Sequence, residues 1–290
     1  MKIEVIIMNA FGINKSGGNP AGIVYNKNEL SNEEKQLIAK KVGLSETVFI
    51  NGNSNNEFEV SFFTPNKEVD LCGHGTIAAF QLLLNNKVIF EGKYLQITRA
   101  GNLEIIIDSQ NKVFMEQKLP EYLNVINDRM VIANSLNINE SDLIKKSPVQ
   151  IISTGLKDIM IGVKNNKILD NIRPNFNMIS KISEEYQVVG YHVFSLEKEE
   201  NETANCRNFA PFYGINEECA TGTSSGALAC YLFNNKIINK NKCDKINFLQ
   251  GKAMKKLSNI NVSLVIRSEK VMKVLVGGNA AYVESIYVEI

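Results

Sequence analysis

The sequence lacks the features of membrane-spanning and nucleic-acid-binding proteins. No apolar run among its 290 residues approaches the roughly 20 residues of a membrane span. Lysine and arginine number 32, and aspartate and glutamate 31, so the net charge of +1 offers no basic excess for neutralising phosphates. We therefore expect neither a membrane nor a nucleic acid among its partners.

Cysteine and histidine are too few and too scattered for a disulfide framework or a zinc site of the usual spacing. The five cysteines are an odd number without C-x-x-C spacing, and only two histidines accompany them. The N-terminal residues alternate like a strand and show no export signal. We expect a cytoplasmic protein with reduced thiols and no metal.

What is present is the composition of a globular protein large enough for two domains, with 44% hydrophobic and 22% charged residues. The N-terminal part predicts a strand at residues 2–8, a turn at residues 17–22, and strands at 47–50 and 57–63. Between them, Ser31 and Glu34 form a capping box for a helix that Gly43 would end. This part is mixed α and β.

Two segments share the same landmarks in the same order. Cys72-Gly73-His74-Gly75-Thr76 and Cys219-Ala220-Thr221-Gly222-Thr223 each follow an aromatic-x-Pro triplet and precede an apolar run that ends in Asn-Asn. The cysteines stand 147 positions apart and the Asn-Asn pairs 149, which predicts a two-residue insertion in the second copy, within residues 224–226. We therefore expect a structural duplication, with lobes at residues 1–118 and 119–290.

Both apolar runs predict helices buried on every side, at residues 73–86 and 221–235. Each lobe would then wrap a mixed sheet or barrel around a central helix, with the lobes related by pseudo-two-fold symmetry. The start of each helix offers unpaired N–H groups and a positive dipole end to a carboxylate. Two such ends in one cleft would bind a small acid, through candidate residues Gly73, Gly75, Thr76, Gly222 and Thr223, and Asn19 of the Gly-rich turn is a further substrate-binding candidate.

Three residues of these turns are candidate proton carriers. Cys72 and Cys219, one in each copy, could remove and return a proton from opposite walls of the cleft. For His74, desolvation and the helix dipole favour the neutral imidazole. The remaining side chains of these types have no symmetry partner or sit in a strand, so we interpret them as structural: Cys206, Cys230, Cys243 and His192.

The landmarks together resemble the PhzF-like phenazine-biosynthesis isomerase family. They are Gly18-Asn19-Pro20-Ala21-Gly22, Leu44-Ser45-Glu46-Thr47, the two repeat turns, Arg207-Asn208-Phe209-Ala210-Pro211, Glu217 to Thr223 and Gln250-Gly251. The resemblance covers nearly the whole chain. It implies an α+β fold of the diaminopimelate-epimerase-like type, a homodimer and no cofactor.

Carried over by position, the family's acid/base glutamate is Glu46, its histidine is His74, its second acidic residue is Glu218 and its turn serine is Thr223. The resemblance implies that the glutamate moves a proton between carbons of a small acid or amino-acid-like substrate. The chain departs from the family where Cys219 replaces a proline and Glu218 an aspartate.

Two other functions stay open. The cysteine turns are also similar to those of proline racemases and diaminopimelate epimerases, which would make Cys72 and Cys219 the two bases. A catalytically silent protein that binds small acids is the third hypothesis, and Glu46, His74 and the thiols argue against it.

Overall fold

The structure is a computed structural model that describes residues 1–13, 17–25, 30–52 and 56–290. Its strands, in chain order, are β1 (Lys2–Ala10), β2 (Asn19–Tyr25), β3 (Thr47–Gly52), β4 (Glu57–Phe63), β5 (Glu68–Val69), β6 (Gly92–Thr98), β7 (Gly101–Ile107), β8 (Val113–Gln117), β9 (Glu121–Val125), β10 (Gln150–Ser153), β11 (Lys157–Val163), β12 (Gly190–Ser195), β13 (Ala204–Ala210), β14 (Ile215–Glu218), β15 (Ile246–Gln250), β16 (Ser258–Arg267), β17 (Lys270–Gly278) and β18 (Ala280–Glu289). Its α-helices are α1 (Asn32–Val42), α2 (Gly73–Asn85), α3 (Arg129–Ser135), α4 (Asn166–Asn171), α5 (Phe176–Glu185) and α6 (Gly222–Asn234).

The chain divides into two compact units. The first consists of Met1–Glu116 and Gly277–Ile290, and the second of Gln117–Val276. The predicted division into residues 1–118 and 119–290 is therefore wrong for the C-terminal segment. That segment returns to the first unit because β18 pairs antiparallel with β1 along its whole length.

In the first unit, the sheet surrounds helix α2. Strand β1 lies between β18 and β2, and β2 continues the sheet in parallel to β3. Helix α2 packs against these four strands. Nine consecutive residues, from Gly75 to Leu83, are buried, so every face of the helix is covered. This confirms the predicted central helix, whose predicted bounds agree with the observed ones to within about one residue.

Helix α1 packs against β3, β4 and β18 around a separate cluster that includes Ile38, Phe49 and Phe63. Its predicted ends are confirmed. Ser31 and Glu34 form the capping box, and Gly43 ends the helix in the left-handed conformation with φ of 69°.

The predicted turn at residues 17–22 is wrong in its second half. Strand β2 already begins at Asn19, and Pro20 pairs with Asn9 of β1. On the other side of β2, pairing with β3 begins only at Gly22, so the missing N–H of Pro20 interrupts no ladder there. The turn itself needs glycine at position 18, where φ is 87° and a Cβ would approach Ala10 O to 2.5 Å.

In the second unit, β9, β10 and β11 are antiparallel neighbours, β12 joins β11 in parallel, and β13 follows antiparallel to β12. Strand β15 extends this sheet in parallel to β13, with β16 antiparallel beside it. Helix α6 packs against β10, β11 and β16, and its residues from Ser224 to Leu232 are all buried. The second central helix is thus also confirmed.

Helices α4 and α5 pack against β12 and β13, around a cluster that includes Ile159, Ile179 and Val193. In the described ranges, no helix has the length and apolar character needed to cross a bilayer.

Candidate active site

The start of helix α2 is built around Cys72. This residue is the N-cap, and its Sγ accepts the backbone N–H of Gly75 at 3.3 Å. Its carbonyl accepts both the backbone N–H of Thr76, at 3.0 Å, and the hydroxyl of Thr76, at 2.9 Å. Helix geometry then leaves the N–H groups of Gly73 and His74 without an intrahelical acceptor. These two N–H groups are therefore the candidates for binding a ligand.

This arrangement bears on part of the predicted substrate-binding set. Gly75 and Thr76 are buried and their N–H groups bind the cap, so those groups are not available to a ligand, and a role of either residue in substrate binding stays a prediction. Gly73 and His74 are both partly accessible. The sequence pattern could not separate these positions because all four lie in the same short turn.

Glu46 and His74 form an ion pair at the start of α2. Glu46 Oε2 lies 3.1 Å from His74 Nε2, and the two side chains are 20% and 12% exposed. Cys72 Sγ lies 3.5 Å from His74 Nδ1 and 3.8 Å from His74 Nε2. Glu46 comes from the segment before β3, and it is held there because its carbonyl accepts the N–H of Gly22 at 3.1 Å.

The pair favours the charged forms of both side chains. Burial alone would lower the pKa of His74, but Cys72 and Glu46 outweigh it and raise that pKa well above its ordinary value. For Glu46, burial acts to raise the pKa, and the hydrogen bond and charge of His74 outweigh it, so the pKa is lowered. The predicted neutral imidazole is therefore wrong, because the sequence did not show that the Cys72 thiol and a carboxylate 28 positions earlier both contact the ring.

Asn19 lies beside the same ring. Its Nδ2 is 3.5 Å from His74 Nδ1, and the residue is 8% exposed. Strand β2 thus supports both members of the pair, His74 through Asn19 and Glu46 through Gly22. Asn19 contacts the histidine, which the prediction of a substrate-binding residue did not anticipate.

In the second unit, Glu218 ends β14 just before α6. Its Oε2 accepts the hydroxyl of Thr221 at 3.1 Å. Gln250, at the end of β15, donates to the Glu218 carbonyl at 2.7 Å and accepts the N–H of Thr221 at 3.3 Å. Gly222 and Thr223 follow in the first turn of the helix and are partly accessible.

An ion pair next to Glu218 fixes the end of this strand. Arg207 Nε and Nη2 each lie 2.8 Å from a carboxylate oxygen of Glu217. Arg207 Nη1 donates to the carbonyls of Leu169 and Ile172, and the guanidinium is 7% exposed. Such a planar, bidentate contact has a defined geometry. Arg207 and Glu217 belong to the motifs that resemble the family, but their residue types and spacing in the sequence indicate no role for them.

The two copies align differently from the prediction. Helices α2 and α6 have 13 residues each and begin at Gly73 and Gly222, so the insertion lies before the second helix and not within residues 224–226. The N-cap that corresponds to Cys72 is therefore Thr221, and Cys219 lies two residues earlier. Cys219 is buried, and Gly251 packs against its Cβ. The prediction that Cys72 and Cys219 face one cleft stays a prediction.

One group of side chains in the described ranges brings three types of metal-binding atom together. Atoms of Glu46, Cys72 and His74 lie within 4.8 Å of one another. In the structure they contact one another, and the thiol also caps α2. The expectation that the protein uses no metal stays a prediction.

Solved structures with the same architecture include a PhzF-family protein of Bacillus anthracis, 28% identical, with a TM-score of 0.87 over the full length of both chains. A hydroxyproline epimerase from Agrobacterium vitis, 10% identical, aligns with a TM-score of 0.61 over 99% of this chain and 92% of the epimerase. These likenesses define a protein with the diaminopimelate-epimerase-like fold.

The sequence comparisons then give the family. Residues 8–285 match the model of the PhzC-PhzF family, described as phenazine biosynthesis-like protein. An uncharacterized isomerase of Clostridium acetobutylicum is 34% identical over 97% of this chain and 96% of its own length. The uncharacterized isomerase YddE of Escherichia coli K12 is 29% identical over the same shares of the two chains. The chain belongs to the phenazine biosynthesis-like family and is an isomerase.

Proposed function

We propose that this isomerase moves a proton between carbons of a small carboxylic or amino-acid-like substrate, without a cofactor, and that Glu46 carries the proton. The observation that carries the proposal is the 3.1 Å contact between Glu46 and His74 at the start of a buried helix. The contact keeps Glu46 ionised and therefore able to accept a proton.

The reaction would proceed in two proton transfers. Glu46 takes a proton from a substrate carbon, and the electron pair of the broken C–H bond moves into the adjacent unsaturated or carboxylate group. The N–H groups of Gly73 and His74, together with the charged His74 ring, stabilise the negative charge that develops. The protonated Glu46 then returns the proton to another carbon, so no oxidant or reductant is consumed.

In the second unit, Glu218 is proposed as the further acidic group. Thr221 and Gln250 fix its side chain and its carbonyl, and Gly222 and Thr223 offer the start of a second helix to a carboxylate. We further propose that the protein works in the cytoplasm as a homodimer. In support of the compartment, Cys72, Cys206, Cys219, Cys230 and Cys243 are all free thiols.

The test is solvent deuterium exchange, screened over amino and hydroxy acids. A proton-transfer enzyme introduces deuterium into its substrate, whereas a silent binding protein does not. On the substrate found, Glu46→Gln is expected to lower the exchange rate by about 10²–10⁴-fold, because the amide keeps the size but cannot accept the proton. Glu59→Gln, an exposed carboxylate on β4 of the same unit, is the matched control. Exchange near the wild-type rate in Glu46→Gln would remove Glu46 from the mechanism.

The second candidate is the two-cysteine racemase. Its support is the position of Cys72, 3.5 Å from His74. Against it, the second helix has Thr221 where the first has Cys72, so the two thiols do not occupy equivalent positions.

A further inference from the structure

A buried polar network lies behind the first turn of α6. Ser224 Oγ donates to Asp158 Oδ2 at 2.6 Å, and Asn208 Nδ2 donates to Ser224 Oγ at 3.2 Å. The same Nδ2 lies 3.2 Å from His192 Nδ1. All four side chains are 2% exposed or less. They come from β11, β12, β13 and the helix, and the proposed mechanism uses none of them.

Asp158 is the unusual member of this network. Burial raises its pKa to about 7, and the charge of Glu218 adds to the effect, although the hydrogen bond from Ser224 opposes it. Within the described ranges, its Oδ1 has no hydrogen bond of good geometry, although a contact with the backbone of Gly190 also acts to lower the pKa. A carboxyl group kept in this state is more typical of a functional site than of a structural ion pair.

Few charges of the described residues surround Asp158. On β12 the nearest titratable group is His192, which is neutral because burial lowers its pKa to about 3. Glu218 at the end of β14 is the other group. Strand β10 and the first turn of α6 carry no titratable side chain. Arg207 on β13 alternates with Asn208 to the other face, where Glu217 pairs with it.

Asn208 links Asp158 to Glu218. In the sheet, Asn208 of β13 stands directly opposite Glu218 of β14. Its side chain donates to Ser224, which in turn donates to Asp158. Hydrogen bonds thus connect the buried carboxyl to Asn208 through Ser224, and the backbone pairing of β13 with β14 places Asn208 opposite Glu218.

We propose that Asp158 is a positioning residue for the reaction: it holds the first turn of α6 through Ser224, and its charge sets the protonation of Glu218. This inference rests on the proposed function, in which Glu218 is an acidic group of the site. As Asp158 loses its proton, Glu218 holds its own proton more tightly, so the two carboxyl groups titrate as a pair.

The first experiment needs no substrate. Aspartate carboxyl carbons labelled with ¹³C are followed by NMR against pH in the wild type and in Glu218→Gln, and Asp158→Asn assigns the signal. Removing the charge of Glu218 is expected to lower the titration midpoint of Asp158 by roughly half a pH unit or more. Glu184→Gln, an exposed carboxylate on α5, should leave the midpoint in place. The inference is overturned if Asp158 titrates at the usual pH of an aspartate, or if Glu218→Gln leaves its titration midpoint unchanged.

The second experiment uses the substrate found by deuterium exchange. Asp158→Asn keeps the size of the side chain and an acceptor for Ser224 but removes the charge, so it should shift the pH profile of kcat/KM. Ser224→Ala removes the hydrogen bond that holds the first turn of α6 and should lower the rate at every pH. An unmoved profile in Asp158→Asn contradicts the inference. Coupled titration without deuterium exchange on any acid tested would instead contradict the proposed function.

Discussion

At the scale of single residues, the site depends on pairs that lie far apart in sequence. Glu46 and His74 stabilise each other's charge, and Arg207 holds the residue next to Glu218. Isolated glutamates and histidines carry no such information in the sequence, where an exposed turn carboxylate is the ordinary interpretation of Glu46. The resemblance to a family, and not composition or spacing, identified it.

Cysteine variants separate the two chemistries. If Glu46 carries the proton, Cys219→Ser should keep turnover within about tenfold of the wild type, because the proposed proton transfer does not use this thiol. Cys72→Ser should behave similarly, since serine is a good N-cap for α2. The measurement is deuterium exchange and interconversion of stereoisomers on one confirmed substrate. Loss of activity in both variants, with activity kept in Glu46→Gln, would establish the two-cysteine mechanism instead.

At the scale of elements, the first turn of α2 has little room. A Cβ on Gly75 would lie 2.9 Å from Val48 Cγ2, 3.1 Å from Cys72 Sγ and 3.3 Å from Phe62 Cδ1. A Cβ on Gly73 would meet only Met115 Cε, at 3.6 Å, which is an ordinary contact. Close packing therefore requires glycine at position 75 but not at position 73.

We expect Gly75→Ala to lower the free energy of unfolding by about 1–3 kcal/mol, the usual cost of overpacking a core. Gly73→Ala should leave it unchanged or raise it by up to about 1 kcal/mol, because alanine favours the helix. Urea unfolding followed by circular dichroism measures both, since the chain has no tryptophan. Equal destabilisation by the two substitutions would contradict this account of the turn.

Elements were also where the sequence predicted best. The two central helices were predictable because nine successive buried residues require an apolar run on every face, and the capping residues of α1 act locally. The alignment of the two copies was not predictable. Aligning Cys72 with Cys219 puts the copies out of register by two residues, because the second N-cap is Thr221. The network of Asp158, His192, Asn208 and Ser224 was not predictable either, because each member looks like an ordinary strand or helix residue until the sheet order is known.

At the scale of the whole molecule, two buried groups make stability depend on pH in opposite directions. Asp158 keeps its proton in the folded state up to about pH 7, whereas an unfolded aspartate loses it near 3.8, so its contribution is lost as pH rises through this window. His192 stays neutral in the folded state down to about pH 3, whereas an unfolded histidine takes up a proton near 6.5. Its contribution is therefore lost as pH falls from about 6.5 to 3.

The histidine effect is measurable as a difference between two proteins. Between pH 6.5 and pH 3, the wild type should lose up to about 4 kcal/mol more stability than His192→Gln, at about 1.4 kcal/mol for each unit of pKa difference. Urea unfolding at several pH values gives the two slopes, so the absolute stability of the variant does not matter. If the free energy of unfolding falls equally steeply with pH in both proteins, His192 has an ordinary pKa in the folded state.

The pairing of β1 with β18 has a consequence for synthesis on the ribosome. Translation completes all of the second unit before it reaches β18, so the second unit can fold while the first still lacks the strand that lies beside β1. Helix α2 packs against β18, and it is apolar on every side. The nascent chain therefore carries an incompletely covered apolar helix until β18 emerges, the kind of surface that chaperones bind.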